Sequence, residues 1–191
     1  MTQPIPETPA LVLTIGHSTR TLEAFVSLLQ AHGVTRVVDI RTVPRSRHNP
    51  QFNRDTLPAS LGALGINYAH LPGLGGLRRA RADSPDTNAG WRNSSFRGYA
   101  DYMQTPEFRA ALEALVQVAR DERVALMCAE AVPWRCHRSL IADALTVRGI
   151  PVEHIVGAKG RQAHRLTPFA RVDQGLLTYP PEAPVAPEAG A

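Results

Sequence analysis

The chain has 191 residues, 43% of them hydrophobic and 20% charged, with a formal net charge of +4 and a pI near 9.6. That length fits one domain at ~100–200 residues per domain, and that apolar share excludes an intrinsically disordered chain. No apolar run approaches the ~18–20 residues of a membrane span, Met1 to Glu7 lacks the basic start and apolar block of a secretory signal, and two cysteines make no disulfide framework, so the expected setting is a reducing cytoplasm with no membrane partner.

In chain order, residues 1–9 carry three prolines and read as a flexible N-terminal segment. A single α/β domain is expected over 10–177. Leu11–Ile15 is a β-rich run closed by Gly16, the first strand. Thr19–His32 places Leu22, Phe25, Val26, Leu28 and Leu29 at helical spacing, with Gly33 as the stop. Val34–Ile40 is the second strand. Asn53–Leu64 is a weak helix with Pro58 near its middle, and Ile66–Leu71 is the third strand. The stretch from Pro72 to Ser95 has little periodicity, and a structureless loop of that length is usually functional or disordered. Phe96–Met103 reads as a short helix. Thr105 as N-cap and Pro106 at the first helical position open another, which reaches about Asp121. Val124–Cys128 is the fourth strand, a helix runs from about Trp134 to Arg148 before Gly149, and Val152–Val156 is the fifth strand. Residues 178–191 are Pro/Ala-rich and read as a disordered tail.

Strands that alternate with helices, and that are continuous apolar runs, predict an open, mainly parallel sheet of about five strands with helices on both faces, a Rossmann-like three-layer fold. A closed eight-fold barrel needs a longer chain. In such open sheets ligands bind beyond the carboxyl ends of the strands, and reactive residue types gather there. His17 and Ser18 follow the first strand. Arg41, Arg45, Ser46, Arg47 and His48 follow the second. Gly75 and Gly76 follow the third. Cys128 and Glu130 end the fourth, before Cys136, His137 and Arg138. Of the 21 basic residues only Lys159 is a lysine. Guanidinium groups grip phosphate and carboxylate with paired bonds, so the arginine-rich loop predicts an anionic ligand. Gly75-Gly76 is a second candidate anion cradle. Trp91 and Tyr99, set among arginines, are candidates to stack a base.

Several of these residues read equally well as plain structure. His17-Ser18 fits an N-cap unit, Asp39 a loop cap or a partner of Arg41, and Cys128 a small buried apolar residue. His32 and His164 read as surface residues.

The strongest constellation is Cys128-x-Glu130-x5-Cys136-His137-Arg138. Cys136 is expected in the first turn of a helix, where free N–H groups, His137 and the flanking arginines lower a thiol pKa. Four chemistries compete. A phosphatase-like loop needs Cys-x5-Arg, whereas Cys128 to Arg135 is one residue longer and holds a glutamate. A metal site from Cys128, Cys136, His137 and His17 has a non-standard spacing, and adjacent Cys136 and His137 are expected to point apart; no metal ligand is assigned. A dithiol redox pair usually has two intervening residues. Acid–base or nucleophilic work by Glu130 with a cysteine or histidine fits best.

Thr14-Ile15-Gly16-His17-Ser18, Val38-Asp39-Ile40-Arg41 with Pro44 and Ser46-Arg47, Leu74-Gly75-Gly76, Phe96-Arg97-Gly98-Tyr99, and Met127-Cys128-Ala129-Glu130 with Cys136-His137-Arg138 together resemble the bacterial and archaeal family called domain of unknown function 488. The resemblance spans about Leu13 to Ile155 and implies an α/β domain; it carries no established reaction.

The residues themselves point to an enzyme, a hydrolase or transferase, acting on a phosphorylated or otherwise anionic small molecule such as a nucleotide or nucleobase derivative. Cys128, Glu130, Cys136, His137 and His17 are the candidate catalytic set. Ser18, Arg41, Arg45, Ser46, Arg47, Gly75, Gly76, Trp91, Tyr99 and Arg138 are the candidate binding set. The alternative is a non-catalytic module that binds nucleotides or nucleic acid through the same arginines and Trp91. No cofactor is named by the pattern.

Overall fold

The structure, a computed structural model, describes residues 10–80, 83 and 85–181. The expected N-terminal segment 1–9 and the tail beyond 181 lie outside the described residues. In chain order the regular elements are β1 (Val12–Gly16), α1 (Leu22–Ala31), β2 (Arg36–Asp39), α2 (Leu57–Gly62), β3 (Asn67–His70), α3 (Ser94–Tyr102), α4 (Pro106–Asp121), β4 (Val124–Cys128), α5 (Arg138–Val147), β5 (Val152–Gly157), β6 (Gly160–Ala163), β7 (Arg171–Asp173) and β8 (Leu176–Thr178).

Local chemistry sets the helix starts. Thr105 accepts the Phe108 amide at 3.3 Å with Pro106 in the first turn of α4, and Thr21 accepts the Ala24 amide to cap α1. The expected helix over Asn53–Leu64 shrinks to the six residues of α2. Pro58 has no N–H and is tolerated only in a first turn, so the helix begins beside it instead of running through it.

The main sheet has the order β3-β2-β4-β1-β5-β6. Its first five members pair in parallel and β6 adds antiparallel to β5, so the expected mainly parallel sheet carries a sixth, unforeseen edge strand. The run Gly160-Arg161-Gln162-Ala163 has no apolar signal because an edge strand is half solvated. Alternate strand residues face two separate cores. Val38, Leu126 and Cys128 pack with α3, α4 and α5, whereas Leu13, Ile15, Val37 and Met127 pack with α1 and α2. Helices therefore cover both faces. No helix among the described residues is long and apolar enough to cross a membrane.

Beyond β6, β7 and β8 form a hairpin through Gln174 and Gly175, both with positive φ. Asp143, fully buried on α5, ties this C-terminal stretch down. Its carboxylate accepts from the Thr167 amide at 3.0 Å, the Thr167 hydroxyl at 2.7 Å and the Tyr179 hydroxyl at 2.8 Å, and meets His164 Nε2 at 2.8 Å. His164 Nδ1 in turn meets His154 Nε2 at 3.1 Å, and His154 Nδ1 meets the Thr14 hydroxyl at 2.7 Å. Two expectations are corrected here. His164 is not a surface residue but the centre of a buried chain, and Thr178 and Tyr179 belong to the fold, with Tyr179 fully buried, instead of to a tail.

Candidate functional site

β1 and β4 lie side by side with Gly16 opposite Cys128, and β2 flanks β4 on its other side. The chain leaves β1 and β2 toward the α1–α2 layer and leaves β4 toward α5 on the opposite face. This reversal opens a crevice at the carboxyl edge. A cavity of about 370 Å³ sits there, lined by His17, Arg41, Thr42, Val43, Arg45, Ser46, Gly76, Leu77, Cys128, Ala129, Glu130 and His137. The end of β1 is clamped to the end of β4 by the His17 amide on Cys128 O and the Ser18 amide on Ala129 O, both 2.9 Å. Gly16 makes this approach possible, because a Cβ there would lie 1.8 Å from the Glu130 carbonyl oxygen and 2.8 Å from an Arg138 guanidinium nitrogen.

The floor of the cavity is a sulfur–imidazole cluster. The Sγ atoms of Cys128 and Cys136 and a ring nitrogen of His137 all lie within 4.8 Å of one another, a set able to hold a metal ion. His137 Nε2 is bonded to the Ile40 carbonyl at 3.1 Å and Nδ1 lies 3.6 Å from Cys136 Sγ. An N–H must face a carbonyl, so Nε2 carries a proton and Nδ1 faces the sulfurs. The ring is held on its other sides by Tyr99, at 5.1 Å between centroids, and by Gly76, where a Cβ would lie 2.3 Å from Nδ1. Gly76 thus serves close packing on the histidine. Gly75 is buried against Thr42 in the same way, while Gly76 also lines the cavity.

The electrostatics reverse the expected order of the two thiols. Cys128 is held far below the usual thiol range, chiefly by a hydrogen bond from Cys136, with His137 and the backbone at Glu130 acting in the same direction against its burial. Cys136 is pushed up by that same bond to Cys128 and by its own burial. The sequence placed Cys136 in a first helical turn. Instead Pro133–Arg135 makes a tight 3-10 turn, Cys136 is extended, His137 is the N-cap and α5 begins at Arg138. In native protein kept metal-free with EDTA, iodoacetamide should therefore label Cys128 well before Cys136, with an apparent pKa below the ~8.5 of a free cysteine. Cys136→Ala should raise that pKa by removing the donor. Mass spectrometry at each cysteine across pH reads the order, and faster labelling of Cys136 would reverse the assignment.

On the α1–α2 side, Arg41 is buried, and four hydrogen bonds inside the protein hold its guanidinium. Its Nε and Nη2 donate to Asp39 at 2.9 and 2.6 Å, Nη2 also donates to the Phe52 carbonyl at 2.7 Å, and Nη1 donates to His17 Nε2 at 3.2 Å. His17 Nδ1 donates to the Ser18 carbonyl at 2.8 Å, and the ring stacks on Phe52 at 4.3 Å. Burial lowers the His17 pKa, which keeps the ring neutral. Both ring nitrogens are taken, so His17 positions the wall of the cavity and has no free nitrogen for proton transfer. Ser18 acts through its backbone, in a left-handed turn at φ 50°.

Arg45 and Ser46 reach the cavity, and Glu130 lines it from the β4 side while exposed to solvent. Arg138 is 1% exposed behind them. Its Nη2 donates to the Ala131 carbonyl at 2.7 Å, but Nε and Nη1 have no partner, and no carboxylate pairs with it among the described residues. Arg47 is exposed and outside the cavity lining. Trp91 packs on Phe96, Phe169 and Tyr179 and lines a separate cavity of about 330 Å³ with Pro133, Trp134, His154 and His164. Tyr99 is fully buried with its hydroxyl on the Leu74 carbonyl at 2.9 Å, a support for His137.

Phe52 and the Ile40 carbonyl orient the site and were not foreseen. Phe52 follows a proline-broken loop with no periodic pattern, and a carbonyl carries no sequence signal. A family model described as "Domain of unknown function DUF488" matches residues 21–145, which contain every motif above except Thr14 to Ser18. Comparisons with curated proteins and with solved structures returned no match.

Proposed function

Because the chain belongs to the DUF488 family, whose description names no reaction, we propose its activity from the site alone: a hydrolase or transferase for a phosphorylated or otherwise anionic small molecule. The observation that carries this reading is the cavity itself, where Arg45 and Ser46 meet Glu130, Cys128 and His137, with Arg138 buried near Cys128 and Glu130. The positive field of Arg138, which also acts on Cys128 and Glu130, adds to that of Arg45 and favours an anion in the cavity. Arg45 and Ser46 hold the anion at the rim. Glu130 serves as acid or base. Cys128 and Cys136 supply the nucleophilic or polarising centre, oriented with His137. Arg41 is neutralised by Asp39 and keeps the loop and His17 in place. The non-catalytic nucleotide-binding alternative relied on Trp91 as a stacking platform; Trp91 lies in another cavity and gives it no support.

Thermal melts test the anion. Phosphate or a phosphomonoester at ten times its Kd adds about 1.4 kcal/mol to stability, a rise of roughly 3–6 °C for a chain of this size. Chloride at matched ionic strength should add nothing comparable. Arg45→Ala should remove most of the rise, while Glu130→Gln should keep it, since it removes a repelling charge. Melts insensitive to every anion tried would end this reading.

A further inference from the structure

We propose that Cys128, Cys136 and His137 bind one zinc ion whose fourth coordination position opens into the cavity. The inference rests on reading that cavity as the active site, and within that reading it makes the two cysteines ligands of a polarising centre instead of a nucleophile. Tetrahedral zinc, with bonds of ~2.3 Å to sulfur and ~2.0 Å to nitrogen, sets its sulfurs ~3.8 Å apart and sulfur from nitrogen ~3.5 Å. Here the three donor atoms fall within 4.8 Å, and Cys136 Sγ to His137 Nδ1 is 3.6 Å. Two sulfurs and an imidazole suit a borderline-soft cation; magnesium and calcium take oxygen ligands.

The surroundings repeat this preference. Metal-bound histidines usually donate their second ring N–H to a carbonyl or carboxylate, which fixes the ring. His137 does this with Ile40, and the bond leaves Nδ1 for the metal. Tyr99 and Gly76 hold the same ring from two further sides. Cys128 and His137 line the cavity, whereas Cys136 lies behind them at 2% exposure. An ion among the three therefore has its open side toward the cavity, where water or an oxygen of the anionic ligand completes the shell. Three protein ligands and one open position are the pattern of catalytic zinc; structural zinc is closed by four. The spacing argument against a metal fails for a structural reason. Short zinc spacings belong to ligands on one tight loop, but here a strand end gives Cys128 and a helix entry gives the other two. The extended backbone of Cys136 followed by the helical backbone of His137 turns adjacent side chains onto one point.

Cobalt is the probe. Protein stripped with EDTA and returned to metal-free buffer is titrated with Co²⁺ and then with Zn²⁺. We expect one Co²⁺ per chain, a sulfur-to-cobalt charge-transfer band in the near ultraviolet, strong tetrahedral d–d bands in the red, and their loss on adding one equivalent of Zn²⁺. Cys136→Ser should weaken binding roughly 100-fold or more, beyond the 10–100-fold typical for loss of an outer-shell partner. Should that variant not fold, zinc protection of the native protein decides, with both cysteines expected to alkylate at least tenfold more slowly once Zn²⁺ is present. A missing sulfur-to-cobalt band, binding unchanged by Cys136→Ser, or alkylation unchanged by Zn²⁺ overturns the proposal. Arg45→Ala should keep the cobalt spectrum while losing the phosphate-dependent melt, so failure of the metal and failure of the anion reading give different results.

Discussion

Asp143→Ala is expected to destabilise the protein by about 3–5 kcal/mol, the range for stripping one partner from a buried, charge-bearing network. Native domains are stable by only about 5–15 kcal/mol. The carboxylate is the common acceptor for the Thr167 amide, the Thr167 and Tyr179 hydroxyls and His164. Alanine leaves all four without their acceptor, the Tyr179 hydroxyl in a fully buried place and the Thr167 and His164 groups at the edge of the second cavity. The loss should concentrate in the C-terminal stretch, because these bonds are what fasten Thr167 and Tyr179 to α5. Guanidinium unfolding measures the total, and hydrogen exchange locates it: amides from His164 to Tyr179 should lose protection before those of β1 and β4. A loss under 1 kcal/mol would mean that the network is not a fastening.

Acid should weaken the same region through His154. Burial, with the neighbouring His164 and Arg138 charges, lowers its pKa from 6.5 to about 4. The unfolded chain then takes up a proton at a pH where the folded chain does not. The contribution is complete above pH 6.5 and is lost as pH falls toward 4, by about 3 kcal/mol at 1.36 kcal/mol per pK unit. His154→Gln should flatten this part of the profile while carboxylates titrate as before. Unfolding midpoints at half-unit steps from pH 7.5 to 4 compare the two proteins, and parallel curves would remove His154 as the cause.

The sequence made the central sheet legible because its strands are buried on both faces, which writes them as unbroken apolar runs such as Val124-Ala125-Leu126-Met127-Cys128. β6 to β8 were not legible, since half-solvated edge strands carry mixed residues. The carboxyl-edge rule placed His17, Arg41, Arg45, Ser46, Cys128, Glu130 and His137 at one cavity although they come from separate stretches of chain. What each does there was harder to read. Arg41 looked like an anion clamp and His17 like a base, because residue type shows which bonds a group can make and not which it has already made. Asp39 and Phe52 absorb the one, and Arg41 and Ser18 the other. The two thiols are misordered because the sequence starts the helix about four residues early, which puts Cys136 in a first helical turn that it does not occupy.

The stretch from Cys128 to His137 is a partition with two sides. Ala129, Glu130 and His137 face the site, whereas Pro133 and Trp134 face the second cavity, which Trp91 lines as well. These are the chain's two tryptophans. All indole emission from the protein therefore originates around one chamber on the far side of the partition. Trp134 is 66% exposed there and Trp91 is packed among rings, so the spectrum sums a wet and a dry fluorophore. Any event in the crevice that shifts the partition changes the weight of the wet component, and the protein carries a built-in optical gauge of its own loop without a label.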